Sequence, residues 1–524
     1  MKRLVVVHPI LFALFFVLAL YSYNVAEVSP SEVVLPISIV LGSTLLLLLL
    51  SRLLFRDIRK AGLVVSIFLV LFFSYGHVSG IVENWGITYK VLVPIWALLI
   101  VGGGFWAVHT RRGLRKLTRV LNVMAIALVI VPSINITVNE ARAASSDPVA
   151  AEDTHSGEFH VGETDGLPDI YYIVMDRYAG AGTLEEFYDF DNSEFLDYLS
   201  DKGFYVASAS NANYLKTHLA LASSLNMKYI NYLGDELGKD FTDLGPTYQM
   251  VEDYEVWRFL KAKGYTFMHF GTDWEPTRKN DYADINVNRG DTPEFSRTLL
   301  RTTMLYPLAL DTPQITLWLD GFPSWLKAPF VGGFRHGKWD RILYKFDQLA
   351  DVPHTKEPTF VFAHMLITHP PFVFDADGGY RSDEEAKGKT REANYVDQVL
   401  LANDKLRSLI DHLISDSDVP PIIVLQSDEG PFPVRYAQDE FVFRWDEATE
   451  AELREKMGIL NAIYLPDGDT SVLYPSISPV NTFRVIFNRY FGTDLELLPD
   501  RSYAFASQRY QYDLFDITDK LTPN

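Results

Sequence analysis

The sequence predicts two parts of different kinds: an N-terminal bundle of five transmembrane helices, and a C-terminal α/β domain with a mostly parallel central sheet flanked by helices. Three observations predict this. Apolar runs long enough, or nearly long enough, to cross a bilayer fill the first 136 of 524 residues. Basic residues are dense in every second connection between those runs. Beyond residue 167, short β-branched and aromatic runs alternate with stretches of helical periodicity.

The apolar runs are Leu4–Ser22, Val33–Leu54, Ala61–Ser79, Val91–Val108 and Val120–Ile136. A spanning helix needs roughly 20 apolar residues, with ~17 as a lower limit. A cleaved signal peptide is the other reading of the first run. Four further runs follow it, however, and no clear cleavage site closes it, which favours an anchor. Lys2 and Arg3 precede the first run, Arg52, Arg56, Arg59 and Lys60 follow the second, and Arg111, Arg112, Arg115, Lys116 and Arg119 follow the fourth. The other set of connections holds Lys90 alone, so eleven basic residues face one. Basic loops stay in the cytoplasm, which puts the N-terminus inside and the chain after Ile136 outside. An even helix count would reverse the side of the domain. That alternative turns on the short fifth run, with Pro132 near its end.

Charge separates the same two parts. Residues 1–136 hold twelve Lys and Arg and four Asp and Glu, leaving 35 and 63 for the rest of the chain. A domain this acidic is a poor nucleic-acid binder, so no nucleic-acid partner is expected. The chain has no cysteine, which excludes disulfides, thiolate metal sites and a cysteine nucleophile. Residues 137–167 read as a linker rich in Ala, Ser, Gly and acids. Ala141-Arg142-Ala143 within it reads as part of a tether or, alternatively, as a small-residue cleavage site. The extracytoplasmic domain then spans residues 168–524, long enough to bury a core of its own. The sequence carries no signal for oligomeric state.

Within that domain Asp169–Met175, Thr359–Ala363 and Pro421–Leu425 read as strands buried on both faces. Asn394–Ile414 and Glu255–Ala262 read as helices between them, and KMGILNAIYLPD and SISPVNTFRVIFNRYFG as a later strand and helix. In a parallel sheet, polar residues just past the carboxyl ends of strands converge on the site. Asp176, His364 and the Asp428-Glu429 pair occupy that position. An Asp there is commonly a cap or turn residue, and a strand-end His is commonly a satisfied core group. Three such ends together point to a divalent metal: oxygen ligands suit Mg²⁺, Mn²⁺ or Ca²⁺, and an added imidazole admits Zn²⁺.

Four segments, PDIYYIVMDRYAG, NSEFLDYLSDKGFYVASASNANYLKTHLALASSLNM, FVFAHMLITHPPFVFD and IIVLQSDEGP, together resemble the alkaline-phosphatase/sulfatase superfamily. The resemblance covers roughly Pro168 to the C-terminus, and is to the sulfatase-like branch of lipoteichoic acid synthases and phosphoethanolamine transferases. Members of that branch also carry an extracytoplasmic catalytic domain after five membrane helices. The resemblance implies a sulfatase/alkaline-phosphatase-like fold and one divalent metal, for which the carboxylate ligands of this chain favour Mn²⁺, Mg²⁺ or Ca²⁺ and leave Zn²⁺ possible. It places Thr217 as nucleophile and metal ligand, with Asp176, Asp428 and Glu429 as further metal ligands. His369, in THPPF, would contact the phosphate or protonate the leaving group. His364 would stand behind the metal ligands or join them, and His269, Asp273 and Arg278 would line the rim toward substrate. The alternative for Thr217 is an ordinary helix cap.

One position departs from the pattern. The branch usually reads Ser-Asp-His-Gly where this chain has Ser427-Asp428-Glu429-Gly430. Glu429 implies a harder, more negative metal site, or one that no longer turns over. Classical sulfatase chemistry is disfavoured, because it needs a formylglycine made in a Cys/Ser-x-Pro-x-Arg motif that this chain lacks. Three classes follow: a transferase moving a phospho-alcohol headgroup from a membrane lipid to a lipid or glycan acceptor, a membrane-bound phosphodiesterase or phosphatase, and a degenerate binding or assembly protein.

Overall fold

The computed structural model describes residues 5–25, 28, 30–83, 85, 87, 89–110, 113–145, 167–289, 294–305, 333–354, 357–440 and 442–522. The contacts divide the chain into two units. One holds residues 1–147 and 292–334, and the other 148–291 and 335–524. The second segment of the first unit lies inside the range that the sequence reading gives to the C-terminal domain. Most of the linker, at 146–166, lies outside the described residues.

The first unit is built on five apolar helices: α1 (His8–Tyr23), α2 (Pro30–Phe55), α3 (Ile58–Glu83), α4 (Tyr89–His109) and α5 (Leu114–Ser145). α2 to α5 are long and apolar enough to cross a membrane, whereas α1 is a shorter apolar helix of 16 residues. α5 runs past Ile136 and takes in Ala141-Arg142-Ala143, so the helix outlasts the apolar run. Outward-facing Leu, Ile and Val side chains on α2, α4 and α5 remain exposed, as expected of surfaces that meet lipid. Between the helices, Phe12, Val17, Leu69 and Phe73 pack into a core. α1 begins without a side-chain cap of its own. Asn122 on α5 serves instead: its Oδ1 accepts from the backbone N–H of Val7 (3.2 Å) and His8 (3.0 Å), and its Nδ2 donates to Val5 O (2.8 Å). Free N–H groups at a helix start need such acceptors wherever water is excluded.

An unexpected element completes this unit. α7 (Glu294–Arg301) is amphipathic and buries Phe295 and Leu299 in the core of the bundle. The chain after it lies against α3, with Gly76 N–H donating to Thr302 O (3.0 Å) and Met304 N–H to Phe72 O (3.0 Å). A Cβ at Gly76 would come within 2.0 Å of the Arg301 carbonyl, so only glycine permits this approach.

The second unit holds a seven-stranded sheet. Its strands are β1 (Ile170–Met175), β2 (Phe204–Val206), β3 (Thr266–Phe270), β4 (Ile285–Val287), β5 (Thr359–Met365), β6 (Ile422–Gln426) and β7 (Asn461–Tyr464), in the order β2-β7-β6-β1-β5-β3-β4. β7 runs antiparallel to both neighbours and the remaining pairs are parallel. β1, β5 and β6 are buried throughout, which is why they read as unbroken apolar runs. Helices used below are α6 (Thr217–Leu225), α8 (Gly333–Ala350), α9 (Arg391–Ser415), α10 (Glu450–Met457) and α11 (Pro479–Phe491). Two hydrophobic layers enclose the sheet: α6 and α11 lie on one face, and α8 and α9 on the other. β1 sits centrally, with β6 on one side and β5 on the other, and the carboxyl ends of such strands are where open α/β sheets gather their functional residues.

The absence of native cysteine gives a direct test of sidedness. Ser417→Cys is expected to react with a membrane-impermeant maleimide in intact cells, and Thr110→Cys only after permeabilisation. The reverse pattern would overturn the orientation read from the basic loops.

Candidate metal and phosphoryl site

β1, β5 and β6 each bring to their carboxyl end, or just beyond it, a residue that is costly to bury without a partner. Met175 leads into Asp176, His364 is the penultimate residue of β5, and Gln426 leads through Ser427 to Asp428. The strand register pairs Val174 with both His364 and Gln426, so the three ends lie level. Asp176, His364 and Asp428 each offer a ligand atom, and these atoms lie within 4.8 Å of one another. All three residues are buried. Asp176 Oδ1, Asp428 Oδ2 and His364 Nε2 have no hydrogen-bond partner among the described residues. Three buried polar atoms without hydrogen bonds at one place are costly unless something else satisfies them. Two carboxylates and a neutral imidazole match the charge and donor needs of one divalent cation.

The electrostatics agree. Burial raises the Asp176 carboxyl to about 6. Burial, with the Asp176 and Glu429 charges nearby, raises Asp428 to about 7. Burial lowers His364 to about 4, so its ring is neutral at pH 7 and available as a ligand. The two acids resist ionisation because both are buried and each is close to other carboxylates, and a divalent cation between them would relieve both effects.

Thr217 is the first residue of α6, after Lys216 in extended conformation, and its side chain is near enough to Asp428 to favour the ionised carboxylate there. It is half-buried, as are Arg177 and His369, whereas Asp176, His364 and Asp428 lie deeper. The first-turn N–H groups of a helix favour an anion, and Thr217 puts that turn of α6 beside Asp428.

Glu429 goes elsewhere. Its Oε1 accepts from Lys456 Nζ on α10 at 2.8 Å and from Arg177 Nε at 3.0 Å. Burial alone would raise its pKa, but Lys456, Arg177 and Lys216 outweigh burial and hold it below the usual carboxylate value. Its other oxygen has no hydrogen-bond partner among the described residues. The expected ligand set of three carboxylates with Thr217 thus differs from the grouping observed: His364 is in it and Glu429 is not. The physical reason is Lys456: burial lowers its pKa to about 7, and the adjacent Glu429 carboxylate is the counter-charge that favours its ammonium form. Lys456 and Arg177 also stack on the Phe432 ring, at 3.7 and 3.9 Å from its centroid.

His369 follows β5 by four residues, before the cis Pro370-Pro371 bond. Its Nδ1 lies against Pro370 O. Burial, with Arg177 and Lys338 nearby, pushes its pKa well below the ordinary histidine value. The expected rim residues are occupied within the protein. His269 is buried and its Nε2 donates to Thr277 O at 2.9 Å. Asp273 pairs with Arg341 at 3.2 Å, and Arg278 with Glu275 at 2.8 Å.

The basic face of α8 was invisible in the sequence reading. Lys345 donates to the His364 carbonyl, Lys338 to those of His369 and Pro371, and Arg335 to those of Phe372 and Arg381. Positions 335, 338 and 345 share one helical face, and their signal is a basic stripe at helical spacing. Such a stripe ordinarily reads as a solvated surface, yet all three are buried.

Neither a family model nor a curated protein matches the chain. Among solved structures, the chain is similar to the C-terminal periplasmic domain of EcEptC from Escherichia coli, with 15% identity over 68% of this chain and 94% of that one, and a TM-score of 0.41. It is similar to the soluble domain of lipooligosaccharide phosphoethanolamine transferase A from Neisseria meningitidis, with 11% identity over 63% and 89% of the two chains and a TM-score of 0.40. The integral membrane form of that transferase gives 11% identity over 91% and 94%, with a TM-score of 0.38.

Two outcomes follow from the geometry. Glu429→Gln leaves the Lys456 ammonium without its counter-charge and is expected to cost about 3–5 kcal/mol. Pairing it with Lys456→Met is expected to recover most of that loss, read by urea unfolding of the solubilised chain. A divalent cation at 100 times its Kd is expected to stabilise the second unit by about 2.7 kcal/mol at pH 8. Because Asp176 and Asp428 titrate at about 6 and 7 without metal, protons compete with the cation below those values. The melting shift on adding metal is therefore expected to shrink steadily from pH 7 to pH 5.

Proposed function

We propose that this chain is a membrane-anchored, metal-dependent phosphotransferase, which moves a phospho-alcohol headgroup from a membrane lipid to a lipid or glycan acceptor through Thr217. One observation carries the reading: Asp176, His364 and Asp428 converge as three buried groups that fit a single divalent cation, and Thr217, the first residue of a helix, stands beside Asp428.

Asp176, His364 and Asp428 would hold the ion, with the Thr217 hydroxyl as a further ligand. A bound divalent ion would supply the positive charge that makes a threonine hydroxyl acidic enough to attack and that offsets the charge of the phosphoryl oxygens. The imidazole in the donor set admits Zn²⁺ alongside Mn²⁺. Asp428 orients the hydroxyl. The first-turn N–H groups of α6 and the Arg177 guanidinium receive the phosphoryl oxygens.

Thr217 Oγ forms a bond to phosphorus while the bond to the lipid alcohol breaks, leaving a phosphothreonine ester. His369 is neutral at pH 7 and its Nδ1 faces the Pro370 carbonyl, which leaves Nε2 to accept a proton. It takes the Thr217 proton and passes it to the departing alcohol oxygen. In the second step the acceptor hydroxyl attacks phosphorus, its proton travels the reverse way, and Thr217 is restored. Water as acceptor would make the same site a phosphodiesterase. The membrane helices favour a lipid donor, since they keep the second unit near headgroups, outside the cytoplasm by the orientation of the basic loops.

Incubation of the full chain with lipid donors, followed by mass spectrometry of the Thr217 peptide, is expected to show a phospho-alcohol adduct. Thr217→Ala is expected to lose the adduct and to lower turnover by about 10³-fold or more. Unchanged turnover in that variant would sink the nucleophile assignment. Release to a glycan or lipid rather than to water separates transferase from hydrolase.

A further inference from the structure

His364 can serve as a ligand only through a bare Nε2, so its proton has to sit on Nδ1. The structure contains a hydrogen-bond chain whose polarity meets that requirement. His364 Nδ1 lies 2.9 Å from Thr277 Oγ1, and Thr277 Oγ1 lies 2.9 Å from Thr272 Oγ1. Thr272 Oγ1 in turn donates to the Trp274 carbonyl at 3.3 Å, while accepting from Trp274 N–H at 3.0 Å. A carbonyl only accepts, and each hydroxyl has one proton to give. With the Thr272 proton on Trp274 O, the contact between the two threonines needs the Thr277 proton. Thr277 then has none left for the imidazole, and His364 Nδ1 must be the donor. Nε2 is left as a lone pair, 3.4 Å from Asp176 Oδ2 and without a hydrogen-bond partner among the described residues.

Thr272, Thr277 and His364 are buried, so water does not compete for these bonds. The turn carrying both threonines is closed by its own backbone: Thr272 N–H donates to Thr277 O at 3.0 Å, and Thr277 N–H to Trp274 O at 3.1 Å. His269 Nε2 donates to Thr277 O from below. The relay is therefore held in place from outside the metal-ligand group.

We propose that Thr277 is a positioning residue, which sets the tautomer and ring orientation of His364 through a directed relay from His364 to Thr277, Thr272 and Trp274. This inference rests on the metal reading above. It concerns a residue that touches neither the cation nor the substrate.

Zn²⁺ alone, competed against a chelating dye, reads the effect directly on the full chain in detergent. Thr277→Val keeps the shape and removes the hydroxyl, and is expected to weaken Zn²⁺ binding by about 10–100-fold. Thr277→Ser restores the hydroxyl and is expected to bind as the unsubstituted chain does. Unchanged affinity in Thr277→Val would overturn the proposal. So would a Thr277→Ser variant as weak as Thr277→Val, because the loss would then lie in packing. Should Thr277→Val fail to fold, Thr272→Val decides in the same assay: a fall in affinity supports the relay and wild-type affinity refutes it. Asp428→Asn separates the two levels. If the unsubstituted chain binds no Zn²⁺, or Asp428→Asn binds as well as it does, the metal reading falls and the relay with it. If Asp428→Asn abolishes binding while Thr277→Val leaves it intact, the relay alone falls.

Discussion

Two carboxylates buried within a few ångströms of each other repel, and the centre of the second unit is arranged around that repulsion. Asp176 and Asp428 sit at adjacent strand ends, so the register of β1 and β6 holds them together whether or not they are neutralised. Burial raises both, and Asp428 is raised further by Asp176 itself. The surroundings are organised to contain this tension. His364 enters from the opposite neighbour of β1, Thr217 stands beside Asp428, and the Arg177 guanidinium lies 3.6 Å from Asp176. A site under this kind of electrostatic strain is suited to taking up a cation.

Glu429 shows how a local substitution is absorbed by distant structure. A third acid beside Asp428 would deepen the repulsion if it turned the same way. Lys456 turns it aside, and the resulting ion pair is almost completely out of water. Such a pair stabilises little in net terms, because both ions lose hydration. Its consequence is directional: it turns Glu429 toward Lys456 and Arg177, and Arg177 lies over the Phe432 ring. The imidazole of the site comes instead from β5, where Lys345 on its carbonyl and Thr277 on its ring fix it from two sides.

Much of the framework was legible in the sequence. The strands at 170–175, 359–365 and 422–426 stand where continuous apolar runs predicted them, because a strand buried on both faces has no polar alternation to obscure it. The helix at 391–415 likewise covers the predicted periodicity, and 255–262 is helical as read. β2 and β4 have three residues each, too short for a pattern to emerge. α7 lay inside a stretch read as part of the soluble domain, yet it packs with the membrane helices, since a single amphipathic turn pair does not say which core it will join. The basic face of α8 was missed because charged residues at helical spacing ordinarily mark solvent.

The sequence by itself determined the membrane helices, the class of the second unit and the strand ends where chemistry gathers, because hydrophobic periodicity is local and the ends of buried strands are marked by the first polar residue. Only the tertiary structure decided which polar residues meet. Asp176, His364 and Asp428 are separated by up to 252 positions, and Glu429, adjacent to one of them, is drawn off by a lysine 27 positions further on. Partnership between buried charges depends on which helix covers which strand end, and that is settled by packing across the whole chain rather than by any stretch of it.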